Sequence, residues 1–401
     1  MTNKYRLDNM DMKKNNKKIC FIATTSLTLK IFVLETAKML HKKMDVDVTF
    51  ICNKDDGLID ILPDYIKYIP VPMKRGIDFL AINTIHQLVK VFKNEKFDIV
   101  QYSTPNASLY ASIAAKIARV PIRLYAQWGI RYVGFQGIKR LLFKKLEKIT
   151  CKNSTTIRAV SIMNLDFAVS EKLYPKSKAK VLGIGGTIGV NLLEYSLEGK
   201  MEWKTDIRKR LGCEEHFVFG FAGRLSKDKG GNELLAATRK IVESNPKTAL
   251  LIVGPDEAGD EINSDLMDWV KKSNNVYFTG LVPKEQMPMY YAAIDVLVHP
   301  TYREGFGMVI QEAAAMRVPI ITTRIPGASE VMEEGISCVL AKPKDTNTLY
   351  DCMMDLLKNS EKSKIMGDNA RKRVEKYFDR NIMLNYQLLD YEKIGKGNNH
   401  E

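Results

Sequence analysis

The sequence predicts an α/β protein made of two doubly wound parallel sheets facing a cleft. Three observations support this. Two successive series of apolar strand patterns alternate with helical ones, a glycine-rich joint separates the series, and 401 residues with 45% hydrophobic content suffice for two cores of ordinary size.

The elements follow in order. Residues 1–16 form a polar extension, and this start lacks the apolar core of a signal peptide. The first domain, 17–185, has strands predicted near 19–23, 46–51, 97–102, 122–126, 156–160 and 180–182, with helical patterns over 28–43, 79–94, 106–118 and 137–151. Gly183-Ile-Gly-Gly-Thr-Ile-Gly-Val190 opens a linker assigned to 186–215, which reads equally as a hinge or a flexible joint. The second domain, 216–376, has strands near 217–222, 249–253, 276–278, 296–298 and 320–322, with helices between; the tail, 377–401, is helical to about Lys396.

The candidate chemistry gathers at two strand ends of the second domain. In Thr-Tyr-Arg-Glu-Gly-Phe-Gly-Met-Val-Ile-Gln-Glu (301–312), a buried strand turns into a helix starting near Met308. Gly305 and Gly307 permit close backbone approach, and the free amides near Gly307, Met308 and Val309 suit a phosphate. Glu304 is placed to accept hydrogen bonds from hydroxyls, and Glu312, two turns into the helix, is expected to face the same cleft. Earlier, the strand at 217–222 ends in Gly223, and Arg224 and Lys229 follow within six positions. A guanidinium and an ammonium there can neutralise a departing diphosphate without a metal.

The pairing of Gly-Arg-Leu-Ser-Lys-Asp-Lys-Gly (223–230) with Glu-Gly-Phe-Gly-Met-Val-Ile-Gln-Glu (304–312) resembles the retaining glycosyltransferases of family 4. That resemblance implies the GT-B fold, two Rossmann-like domains with the C-terminal helix crossing back to the first. It implies that Arg224 and Lys229 hold the donor diphosphate, that Glu304 contacts the transferred sugar, and that these three are the catalytic set. Glu312 is implied to meet the nucleotide ribose, with Gly223, Gly305, Phe306, Gly307, Met308 and Val309 around the donor. The stretch 325–332 is similar to the family's later Gly-x-x-Glu segment near the nucleotide.

The activity implied is retaining, metal-independent transfer of an N-acetylhexosamine or hexose from a UDP-sugar. The acceptor is a polyprenyl-diphosphate-linked saccharide or another glycan, in capsular polysaccharide, exopolysaccharide or lipid-linked oligosaccharide synthesis. No cofactor beyond the donor substrate is expected. On the acceptor side the candidates are Thr25, Ser26, Gln127, Trp128 and Arg131. This chain has hydroxyls in Ala23-Thr-Thr-Ser-Leu-Thr-Leu-Lys30 where family members carry glycines, and Ala126-Gln-Trp-Gly-Ile-Arg-Tyr132 where many carry a cleft histidine. The general base is therefore unassigned, and the leaving phosphate is the candidate proton acceptor. Structural or surface roles are expected for all five histidines.

Composition bounds the setting. The formal charge of +14 calls for an anionic counterpart, and no apolar run approaches the roughly 18 residues of a membrane span. Six scattered cysteines read as buried thiols of a reducing compartment. A cytoplasmic protein, peripheral on the inner face of the plasma membrane, fits these facts. In 138–152, Ile138, Leu142, Leu146 and Ile149 share a helical face while Arg140, Lys144, Lys148 and Lys152 gather mostly on another. Such a helix either lies on an anionic bilayer or packs its apolar face on its own sheet. Asp45-Val-Asp47 begins a strand and faces no second acidic cluster, so no metal site is expected. The alternatives are a nucleotide-sugar epimerase, a phosphorylase, or a basic nucleic-acid binder. The last lacks aromatic residues interleaved with its cations, and no nucleic-acid partner is expected.

Overall fold

A computed structural model of the chain describes residues 16–74, 81–255 and 262–396. The first half runs β1 (Lys18–Ile22), α1 (Ser26–Phe32), α2 (Leu34–Met44), β2 (Asp47–Cys52), α3 (Asp56–Ile59), β3 (Ile66–Pro70), α4 (Ala81–Glu95), β4 (Ile99–Tyr102), α5 (Pro105–Ile117), β5 (Ile122–Gln127), α6 (Gly137–Asn153), β6 (Thr156–Ala159), α7 (Ile162–Ser170) and β7 (Ala179–Lys180). The second runs α8 (Lys200–Leu211), β8 (Phe217–Ala222), α9 (Gly231–Ser244), β9 (Thr248–Val253), α10 (Ser264–Lys272), β10 (Val276–Phe278), α11 (Met287–Ala293), β11 (Val296–His299), α12 (Met308–Ala315), β12 (Ile320–Thr323), β13 (Cys338–Ala341), α13 (Thr346–Lys358), α14 (Ser360–Tyr377) and α15 (Arg380–Gly395).

Two parallel sheets result. The first has seven strands in the order β3-β2-β1-β4-β5-β6-β7, and the second six in the order β10-β9-β8-β11-β12-β13. Their central strands are continuous apolar runs, such as Thr-Ala-Leu-Leu-Ile-Val in β9, because helices cover both faces and every side chain is buried. Strand order reverses between β1 and β4 and again between β8 and β11, which opens a crevice at the carboxyl ends of each pair.

Several elements differ from expectation. The edge strands β3 and β13 add one strand to each predicted sheet; both are short and only partly buried, so their apolar signal is weak. The helix predicted over 28–43 is two helices, broken where Val33 leaves helical geometry and buries its side chain. Within the stretch taken as linker, α8 packs on α11, and Arg208 donates to the Ala293 carbonyl and to Asp295. Residues 1–15, 79–80 of the helix predicted over 79–94, and 397–401 of the tail lie outside the described residues.

The halves are tied together by α15. It leaves the second sheet and docks on the first, where Asp390 is buried against Arg158 and Lys180, and Tyr391 meets Gln101. Gln387 accepts from Thr36 (2.6 Å) and donates to the Thr187 carbonyl (2.8 Å). These contacts join α2, the glycine-rich joint and α15, so the crevices of the two sheets face each other.

Candidate active site

A cavity of about 600 Å³ lies where the sheets present their carboxyl ends. One wall comes from the segments after β1 (Thr24, Thr25, Thr28), β4 (Thr104, Asn106) and β5 (Trp128–Arg131). The other comes from those after β8 (Arg224, Asp228, Lys229) and β11 (Arg303, Glu304, Gly305). These segments stand at or beside the strand-order reversals.

Local backbone chemistry brings the charged groups together. At Gly230 (φ +74°) a Cβ would sit 2.1 Å from the Pro300 carbonyl oxygen, so only glycine lets the loop after β8 rest on the end of β11. That contact delivers Lys229 to Glu304, with its ammonium 2.8 Å from Oε2. His299 Nε2 lies 3.1 Å from the same oxygen, and the Gly305 amide donates to Oε1 at 3.0 Å. Burial works against the Glu304 charge, but His299 and Lys229 outweigh it and hold the carboxyl well below the ordinary range. An ionised carboxylate only accepts, so Nε2 of His299 carries the proton in this contact. The ring is buried and stacks near Phe221, and its Nδ1 has no partner among the described residues.

Asp228 fixes the neighbouring wall. It accepts from Ser226 Oγ (2.7 Å) and from Arg303 Nε and Nη2 (3.2 and 3.1 Å). Burial opposes its charge, yet these donors hold its carboxyl below the usual value. At Gly305 a Cβ would lie 2.2 Å from the Trp128 carbonyl oxygen, so the turn before α12 touches the loop after β5 and the two halves meet at the cavity floor. The N-terminus of α12 has no side-chain cap, which leaves its first amides for an anion.

Of the residues singled out by sequence, Arg224, Lys229, Glu304, Gly305, Thr25, Trp128 and Arg131 line this cavity together. Gly223, Gly307, Met308 and Val309 stand beside it without lining it. Four further side chains are engaged within the protein. The Phe306 ring turns away and packs edge-on to Phe378 over Gly185 and Gly186, so at most its backbone serves a ligand. Glu312, half-buried, does not line this cavity; its carboxylate accepts from Tyr291 (2.9 Å), and burial raises its pKa. The Ser26 hydroxyl donates to Asp55 across the end of the sheet. Gln127 is wholly buried and does not line the cavity, donating to Glu147 (2.7 Å) and accepting from Tyr174 (2.7 Å).

The later Gly-x-x-Glu segment is also occupied within the protein. Glu330 accepts from Ser161 Oγ (2.5 Å) and from the Met163 amide (2.8 Å), so a carboxylate of the second half caps α7 of the first.

Sequence reasoning missed Arg303, Asp228 and the part played by His299. Each lies within five positions of a predicted site residue, and that adjacency was the available signal.

Helix α6, beside the cavity, puts Phe143 and Cys151 against the core of the first half but also turns polar groups inward and apolar ones outward. Its sheet side carries Glu147, Thr150 and Cys151, with Glu147 held by Tyr125 and Gln127. Its outer side exposes Ile138 (85%), Leu141 (67%) and Leu142 (47%), together with Val133 just before it. Arg140 and Lys144 pair with Glu171, so the exposed cations are Lys139, Lys145, Lys148 and Lys152. Among the described residues no helix is long and apolar enough to cross a membrane.

Residues 204–373 match the family described as Glycosyl transferases group 1, and residues 18–161 match Glycosyl transferase 4-like. The chain is 31% identical over 370 residues to the capsular polysaccharide biosynthesis glycosyltransferase CapM of Staphylococcus aureus, covering 92% of this chain and 95% of CapM. It is 25% identical over 352 residues to the UDP-Gal:alpha-D-GlcNAc-diphosphoundecaprenol alpha-1,3-galactosyltransferase of Escherichia coli, covering 83% and 88%. Its fold is similar to that of a glycosyltransferase from Rickettsia africae ESF-5, with TM-score 0.77, 20% identity, and coverage of 96% of this chain and 100% of that one.

Proposed function

The chain belongs to the group 1 glycosyl transferases and has the GT-B fold, and from that premise we propose that it moves a sugar from a UDP-sugar, with retention and without a metal, to a lipid-linked saccharide in surface polysaccharide synthesis. The observation that carries this reading is Glu304, kept ionised by Lys229 and His299 inside a cavity whose far wall belongs to the other sheet. As the glycosidic bond to the diphosphate breaks, positive charge grows at the sugar and negative charge on the leaving group. Glu304 meets the first; Arg224, Lys229 and the α12 amides meet the second. A leaving phosphate oxygen takes the acceptor proton on the face it departs from, which retains the anomeric configuration and needs no separate base.

UDP and a diphosphate-linked lipid acceptor both appear in the name of the Escherichia coli relative, and CapM supports a capsular setting. The outward apolar and lysine-bearing face of α6 supports peripheral docking on the anionic inner leaflet, with the protein otherwise in the cytoplasm.

The test is transfer from a panel of UDP-sugars to a prenyl-diphosphate-linked N-acetylglucosamine in EDTA, with the new linkage assigned by NMR. The donor's anomeric configuration should persist, EDTA should leave the rate intact, and Glu304→Gln and Arg224→Ala should each lower turnover by roughly 10²-fold. An inverted product, or near-normal turnover in both variants, contradicts the reading.

A further inference from the structure

The cavity presents cations from both of its walls. Arg131, Arg224, Lys229 and Arg303 line it against two carboxylates, Asp228 and Glu304. Both carboxylates are engaged, Glu304 by Lys229 and His299 and Asp228 by Arg303 and Ser226. Among the described residues no ion pair joins a carboxylate to Arg131 or Arg224, and Arg131 Nη1 donates to Asn106 Oδ1 at 3.4 Å. The two stand on opposite walls, Arg224 after β8 and Arg131 in a short 3-10 turn, Arg131–Gly134, after β5.

Arg303 bridges the walls. Its Nε and Nη2 engage Asp228, while a Cβ on Gly134 would lie 3.1 Å from its Nη1, so the guanidinium rests on the turn that holds Arg131. Burial and the nearby Arg303 charge both disfavour the protonated form of Arg131. Two guanidiniums held close in a half-buried site, with Asp228 engaging only one of them, are relieved by an incoming anion.

The surroundings define that anion further. Arg131 lies 4.6 Å from the Phe143 ring centroid and 5.9 Å from that of Phe135, and the two rings stack at 4.8 Å. From these rings the surface continues to Val133, Ile138 and Leu141, all exposed. The subsite thus sits between a polar cavity on one side and an apolar surface on the other. A phosphate group carrying a long apolar chain fits both sides; a free polar anion fits only one.

We infer that Arg131 and Arg303 form a second anion subsite, separate from the donor's, that holds the diphosphate of a prenyl-linked acceptor. Its chain leaves over Val133, Ile138 and Leu141, and its saccharide reaches past Trp128 toward Glu304. This rests on the lipid-linked acceptor of the proposed function.

The experiment is calorimetric titration of the full chain saturated with UDP, using farnesyl diphosphate, inorganic pyrophosphate and farnesol as probes. Farnesyl diphosphate should bind without displacing UDP and about tenfold more tightly than pyrophosphate or farnesol. Arg131→Gln and Arg303→Gln should each weaken it by about tenfold or more, the scale of a lost charge-assisted hydrogen bond. Melting temperatures within a few degrees of wild type certify that the variants are folded, and Arg303→Gln stands in if Arg131→Gln is not. Displacement of UDP by farnesyl diphosphate, or affinity within twofold of wild type in a folded variant, overturns the second subsite. Failure of UDP itself to bind sinks the proposed function instead, so the two failures are distinct.

Discussion

Replacing His299 tests whether Glu304 is tuned for transfer or merely present. In the structure the Glu304 carboxylate has three donors, Lys229, the Gly305 amide and His299 Nε2. His299→Ala removes one hydrogen bond to a charged group, worth about 1.5–3 kcal/mol. If that interaction is felt in the transition state, kcat falls by about tenfold to a hundredfold, at about 1.4 kcal/mol per decade. The donor KM should move less than kcat, because the carboxylate acts on charge that develops during bond breaking. The pH profile supplies a second sign. The folded pKa of Glu304 lies below its unfolded value of about 4.3, so its charge is complete above that pH and is lost only as pH falls through the depressed value. Loss of the His299 donor raises that pKa, and the acid limb of kcat moves to higher pH. His299→Gln, whose amide reaches a similar position, should recover part of both effects. UDP release measured from pH 8 down into acid, as far below pH 4.5 as the folded protein persists, reads all of this. A folded His299→Ala with kcat within twofold of wild type and an unmoved acid limb refutes the reasoning.

Two further predictions concern surfaces that meet other things. Ile138→Glu combined with Leu141→Glu should lower partition onto phosphatidylglycerol vesicles by about tenfold or more, since each apolar side chain loses part of the roughly 1.5–3 kcal/mol of full burial; unchanged co-sedimentation refutes the docking face. Glu330→Ala removes the cap that the second half places on α7 and should cost about 1–2 kcal/mol, read as a melting temperature lower by a few degrees; an unchanged melting curve shows that the contact does not join the halves.

The central strands were legible in the sequence because burial on both faces leaves long apolar runs, as in β8 and β9. Strands β3 and β13 were not, because an edge strand needs fewer apolar residues and Ile-Lys-Tyr-Ile-Pro carries a lysine and a proline. At the site, Arg224, Lys229 and Glu304 could be found because glycines at short spacing mark where the chain leaves a strand beside a ligand. Direction within those segments could not. Phe306 and Gln127 neighbour residues of the cavity wall, but their side chains point into the core, which only the three-dimensional path decides. Arg303 was hidden for a different reason: its partners Asp228 and Gly134 lie far away in sequence, and Gly134 belongs to the other half.

The central claim is that a nucleotide diphosphate binds between the loop after β8 and the turn before α12 without a metal. Titration of UDP into wild type and Arg224→Ala in EDTA tests it most directly. Binding that persists in EDTA and weakens by about tenfold or more in the variant is the predicted result, the scale of one lost charge-assisted contact. Equal affinity in both proteins, or binding abolished by EDTA, contradicts it.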